Sequence, residues 1–227
     1  VVWEREVGQD DHTLRAQVIE YTGTSAGHTP FNAYTFSDSI DPDVSTVAEP
    51  NHVSSGGLWV IAFERRVGTD YDIFTVVAED GGADNARSLQ LMQNLDLNRD
   101  HRDPVIANDS EDFLIAYQTE SPGDVHGIHL TVVNIIQDGA EYRTAVSLRR
   151  ETFGVSDGER ALVALASRWD GGGDFLSAEK GDAVAVWTAA MGTPGQRTIS
   201  GATCEERLEG VLASQYCAAA VNSTGAS

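Results

Sequence analysis

Short runs of apolar and β-branched residues, each followed by a polar turn containing Gly, Pro or Asp, alternate along the chain. Runs of this length and composition are typical of β-strands. Four of them contain or end in an aromatic residue, and a second apolar run follows each after the turn. The first runs cover 1–5, 59–63, 113–118 and 184–188, and the second runs cover 14–20, 73–79, 128–134 and 197–202. The pattern predicts four β-hairpins.

The hairpins are copies of one another. Residues 58–72 match residues 1–11 without a gap when Trp3 is placed on Phe63, so that Glu4 falls on Glu64. A weaker copy places Tyr117 at the aromatic position, and a fainter one places Trp187 there. Self-similarity at this spacing indicates a tandem repeat, whose units bury their apolar faces against neighbouring units. We therefore expect the four aromatic residues to pack between units.

Two further runs complete each unit. A third strand is predicted at 31–36, 88–92 and 143–148, and a fourth begins at Asp41, Asp103 or Asp157, always 38 to 40 residues after the preceding aromatic residue. Four antiparallel strands per repeat are typical of a propeller blade. The predicted fold is all-β, a β-propeller of about four four-stranded antiparallel repeats, each of roughly 55–70 residues.

The predicted blades cover approximately residues 1–40, 41–102, 103–156 and 157–203. Residues 204–227 are predicted to be a C-terminal closing segment or a linker to a following domain. We expect residues 217–221 to supply a strand missing from the first unit. The polar stretch 149–159 is predicted to be a loop.

Charge excludes some partners. The chain carries 35 acidic and 15 basic side chains, a formal net charge of −20. Such acidity repels nucleic acid and anionic lipid, so neither is an expected partner. The longest apolar runs have the length of strands, and membrane insertion is not expected.

Cys204 and Cys217 are a disulfide candidate, and two buried thiols are the alternative; pairing fits an exported protein.

Acidic residues at short spacing suggest a Ca²⁺ site, because calcium takes six to eight oxygen ligands that loops supply with alternating carboxylates. The candidate ligands are Asp70, Asp72, Asp96, Asn98 and Asp100. The last three alternate as in a calcium loop, but the following Gly and the distal Glu of an EF-hand are missing. A solvated acidic surface is the alternative interpretation.

The longest interval between aromatic positions contains a glycine-rich insertion with Trp169, Asp170 and Asp174. A loop with an aromatic side chain on a rigid scaffold is a candidate contact site for a glycan or a protein. A flexible connection is the alternative.

The repeats resemble those of secreted bacterial β-propeller surface proteins, in which a strand ending in an aromatic residue precedes a polar turn and a D-x-D-I-hydrophobic strand. Asp70-Tyr71-Asp72-Ile73-Phe74 carries this pattern best. The tail with Cys217 and Asn222-Ser223-Thr224-Gly225 is similar to a segment that joins such propellers to a following domain, especially in planctomycete-like proteins. The resemblance implies an extracellular or cell-surface location and recognition in place of catalysis.

No H-E-x-x-H motif is present in the sequence, so this metalloprotease signature gives no support to catalysis. The expected function is that of a non-catalytic structural or assembly module that contacts other chains or copies of itself. The alternative is a carbohydrate- or protein-binding module. A propeller glycoside hydrolase, with two carboxyl groups about 5–10 Å apart, is a third hypothesis.

Overall fold

The computed structural model describes sixteen strands and the short segments that adjoin three of them. These residues are 2–8, 11–21, 26–31, 39–46, 58–79, 90–91, 99–109, 112–121, 125–138, 141–146, 151–156, 160–168, 179–190, 197–209 and 212–218. Side chains are described for Trp3 and for much of the range 59–145. Apart from Arg99, this part of the chain consists of strands and one turn, which confirms the all-β class. No helix within it could cross a membrane.

The strands form four antiparallel sheets that follow the chain order. The first sheet contains β1 (Val2–Gly8), β2 (Asp11–Tyr21) and β3 (Ala26–Phe31). The second contains β4 (Ser39–Thr46), β5 (Leu58–Val67), β6 (Asp70–Glu79) and β7 (Gln90–Leu91). The third contains β8 (Asp100–Asp109), β9 (Asp112–Ser121), β10 (Val125–Asp138), β11 (Glu141–Val146) and β12 (Glu151–Ser156). The fourth contains β13 (Arg160–Arg168), β14 (Glu179–Ala190), β15 (Arg197–Glu209) and β16 (Leu212–Ala218).

Three predictions about single strands are wrong. β12 occupies part of the predicted loop, because the long strand β10 accepts β11 along its C-terminal half and β12 along its N-terminal half. β3 lies five residues earlier than predicted, where it pairs with β2. The strand predicted at 217–221 does not complete the first sheet: Cys217 lies in β16, which pairs with β15 of the fourth sheet.

A β-bulge recurs at the Asp-Pro dipeptides of the first strands in the second and third sheets. The register of β4 against β5 shifts between Ile40 and Asp43, and that of β8 against β9 shifts between Arg102 and Val105. Proline has no N–H for the ladder, so it is placed at such an interruption. Asp103 takes a positive φ of 50°, a conformation that Asp tolerates better than most residues. The bulge therefore directs the Asp103 N–H away from its own sheet.

The core lies between the second and third sheets, which pack face to face. Val60, Ala62, Ile73 and Val77 of the second sheet meet apolar residues of the third in one buried cluster. The members from the third sheet are Ile106, Phe113, Ile115, Tyr117 and Val133. The buried hydroxyls of Thr75 and Thr144 hydrogen-bond across the same interface at 2.5 Å.

The aromatic residue of a repeat lies on one face of its sheet, and the burial of that residue shows whether a neighbouring sheet covers the face. Tyr117 packs against the second sheet, which precedes it. Phe63 is fully buried, and because side chains alternate along a strand it lies on the face opposite Ala62, toward the first sheet. Burial is thus confirmed for both residues, and packing between sheets for Tyr117. Trp3, by contrast, is 39% exposed. Across the described strands, the first and fourth sheets make no extended contact with each other.

Candidate functional site

The charged residues that the structure brings together lie between the second and third sheets. We call them the inter-sheet polar cluster, and its members are Glu64, Tyr71, Asp72, Asp100, His101 and Arg102. Glu64 is its centre, since its side chain is 1% exposed and accepts the Asp103 backbone N–H at 2.6 Å. The bulge thus supplies a donor that the ladder of the third sheet does not use.

Arg102 connects three elements. Its guanidinium lies 3.3 Å from Glu64 Oε2 and 3.1 Å from Asp100 Oδ2, and it stacks 3.5 Å above the Tyr71 ring. Burial opposes its charge, but Glu64 and then Asp100 outweigh that effect and raise the guanidinium pKa. Asp100 Oδ1 in turn accepts the backbone N–H of Tyr71 at 3.0 Å. The cluster therefore joins β5, β6 and β8 by charge-assisted hydrogen bonds.

Asp72 and His101 form the second part of the cluster. Asp72 Oδ1 lies 3.3 Å from Nδ1 of His101, whose side chain is fully buried. Burial raises the pKa of Asp72 above its usual value of 3.8, the charges of Asp70 and Asp100 add to the rise, and His101 opposes it. The folded chain holds this proton more tightly than the unfolded chain, so Asp72 favours folding increasingly as the pH falls through the raised pKa toward 3.8.

A row of buried rings continues from His101 across the third sheet. The Tyr117 ring lies edge-on to His101, with centroids 5.6 Å apart, and stacks on His129 at 5.5 Å. Nε2 of His129 lies 3.0 Å from the Thr119 hydroxyl. The Tyr117 hydroxyl lies 3.5 Å from that of Thr131. These contacts supply polar partners within an otherwise apolar interface.

The cluster links the second and third sheets, and the side chains of Glu64 and His101 in it are buried. An Asp–His pair can orient a general base, but catalysis also requires a nucleophile or substrate within reach of the imidazole. His101 lies against Asp72 and the Tyr117 ring, and its side chain has no exposed surface. Glu64 is equally inaccessible to solvent.

Three of the five predicted calcium ligands lie in the described part of the chain. Asp100 binds Arg102, Asp72 binds His101, and Asp70 accepts a hydrogen bond from the Thr69 hydroxyl at 3.1 Å. Within residues whose placement is described, no group of three or more acidic, histidine or cysteine side chains is arranged to hold a metal. Asp96 and Asn98 lie outside the described residues, as do Trp169, Asp170 and Asp174 of the predicted contact loop.

The two cysteines occupy partner positions in neighbouring strands. Cys204 of β15 lies directly opposite Cys217 of β16. We predict that they form a disulfide in the purified protein, since Cα atoms of directly opposed residues lie about 4.5–5.5 Å apart and disulfides commonly span such distances. Replacing both by Ser should lower the free energy of unfolding by about 3 kcal/mol, because the bond closes a loop of about 14 residues. Intact-mass analysis after thiol alkylation without reductant checks the pairing, and two alkylated thiols would contradict it.

Sequence reasoning missed the central role of Glu64 and the pairing of His101 with Asp72. One signal for Glu64 was present, because a glutamate follows the aromatic residue in the first two copies, as Glu4 and Glu64. The second signal was the Asp-Pro dipeptide at 103–104, since Glu64 accepts the Asp103 N–H. His101 carries no comparable pattern, since its contacts depend on how two sheets pack.

Comparison with known proteins adds no relative: no family model, no curated protein and no solved structure matches the chain.

Proposed function

We propose that this chain is a non-catalytic structural module of the cell surface or extracellular space, which acts by assembling with copies of itself. The observation that supports a structural role in place of catalysis is that the inter-sheet polar cluster joins two sheets. Its buried charges bind one another and the neighbouring backbone, so they stabilise the packing of one sheet on the next.

We further propose that the four sheets are blades of a propeller. Each follows the chain order, and in the second, third and fourth sheets the first four strands by sequence are neighbours in the sheet. The first strands of successive sheets also lie beside one another, β1 by β4, β4 by β8 and β8 by β13. Radial packing of four-stranded sheets produces such a series of inner strands. The opposed cysteines support an oxidising, extracellular location.

Molar mass in solution tests the assembly function. Light scattering after size exclusion, over a wide range of protein concentration, should show species heavier than the monomer whose proportion rises with concentration. The same runs with calcium and then with a chelator show whether Ca²⁺ contributes to association. A monomer at every concentration, with and without calcium, would contradict the proposal and favour a ligand-binding module instead.

A further inference from the structure

The exposure of Trp3 distinguishes the first sheet from the two that follow it. Trp3, Phe63 and Tyr117 occupy the same position in three copies of the repeat. Phe63 has no exposed surface and Tyr117 is 4% exposed, whereas Trp3 is 39% exposed. A large aromatic side chain buries about 150–250 Å² when covered, so this exposed ring leaves considerable apolar surface in water.

The repeat indicates what kind of surface covers this position. Tyr117 is covered by a sheet face that presents Val60 and Ala62 from β5 with Ile73 and Val77 from β6. Phe63 lies on the corresponding face of the second sheet, so we expect an equivalent covering face over Trp3. Among the described strands, those of the fourth sheet make no extended contact with the first sheet.

The fourth sheet contains the matching positions. Trp187 and Ser200 are cross-strand partners in the fourth sheet, as Phe63 and Phe74 are in the second sheet. Counting from these pairs, Val184 and Val186 of β14 correspond to Val60 and Ala62, and Ile199 and Thr203 of β15 correspond to Ile73 and Val77. Three of the four matching positions in the last sheet are therefore apolar, and the fourth is Thr203.

We infer that the Trp3 face of the first sheet binds the fourth sheet of a second copy of this chain. The packing seen between the second and third sheets would then recur between the fourth sheet of one molecule and the first sheet of the next. This contact is heterologous, since it joins two different surfaces, and such contacts form a closed ring or a longer array according to the rotation between copies. The inference rests on the proposed assembly function and identifies the two surfaces that carry it.

A matched pair of variants tests the first surface. Among the residues whose side chains are described, Trp3 and Val67 are the two exposed large hydrophobic ones, and Val67 lies at the tip of a hairpin. Trp3→Ser should weaken self-association at least about 30-fold, as expected for a central aromatic residue of an interface. Val67→Ser should associate like the wild type. The measurement is sedimentation velocity over a concentration series.

Mixing two variants tests the second surface. Val186→Arg should also block self-association, because it places a charge on the face proposed to cover Trp3. Trp3→Ser retains an intact fourth sheet and Val186→Arg retains an intact Trp3 face, so an equimolar mixture should form dimers containing one of each. Restored association also shows that both variants are folded.

Different results overturn different claims. A wild type that remains monomeric removes the assembly function and this inference with it. A Trp3→Ser variant that associates like the wild type overturns the choice of the Trp3 face and leaves assembly standing. A mixture that stays monomeric, from variants with wild-type circular dichroism and unfolding transitions, overturns the choice of the fourth sheet.

Discussion

Replacing Phe63 by alanine should lower the free energy of unfolding by about 3–5 kcal/mol, the usual cost of removing a fully buried phenylalanine. Phe63 has no exposed surface, and its ring stacks on Phe74 with centroids 6.2 Å apart. The cavity would lie on the side of the second sheet that faces the first, where rigid strands limit collapse. Urea unfolding followed by circular dichroism measures the change.

Val67→Ala is the matched control for this experiment. Val67 lies four residues further along the same strand and is 47% exposed. Its replacement should change the stability by no more than about 0.5 kcal/mol, as is usual for an exposed position. Equal losses for the two variants would mean that Phe63 is not a packing residue between sheets.

Replacing Glu64 by alanine should cost about 3 kcal/mol, the second large effect. Its carboxylate accepts the Asp103 N–H and binds Arg102, so the variant leaves a donor without its acceptor and a half-buried cation without one of its two carboxylates. Glu64→Gln should cost less, since its amide oxygen can still accept the N–H. The measurement is again urea unfolding, at pH 7.

Asp70→Ala provides a control for a nearby carboxylate. Asp70 lies on the same hairpin, at its exposed end, and its described hydrogen bond is with the Thr69 hydroxyl. We expect a change of no more than about 0.5 kcal/mol. Glu64→Ala with a loss as small as this would show that the inter-sheet polar cluster does not stabilise the packing.

The sequence predicted the features that depend on local patterns. Alternating apolar runs and polar turns predicted the hairpins, such as the one that pairs Phe63 with Phe74. The repeat predicted that Phe63 and Tyr117 would be buried. The Asp-Pro dipeptide at Asp103 was predicted to begin a strand, but it lies inside β8, at the bulge three residues after the strand begins.

Features that depend on contacts between sheets could not be predicted in this way. The spacing of Asp96, Asn98 and Asp100 suggested a calcium loop, but Asp100 binds Arg102 beside the Tyr71 ring. A carboxylate has the same sequence signal whether it binds a cation or a guanidinium. The strand β12 was missed for a similar reason, since only its pairing with β10 distinguishes it from a polar loop.

The exposed Trp3 shows how sequence and structure inform each other. The repeat alone predicts a packing residue, and the structure alone shows an exposed ring. Together they identify the Trp3 surface of the first sheet, which is exposed although the matching surface at Tyr117 is covered by the second sheet. This comparison between copies is the basis for the proposed contact between molecules.

A double-mutant cycle between Glu64 and Arg102 tests the central claim most directly, that the buried charges hold the second and third sheets together. The two residues lie in different sheets and meet at 3.3 Å. Unfolding of the wild type, Glu64→Ala, Arg102→Ala and the double variant gives their coupling free energy. We predict at least about 1 kcal/mol in favour of the folded state. A coupling free energy close to zero would contradict the claim.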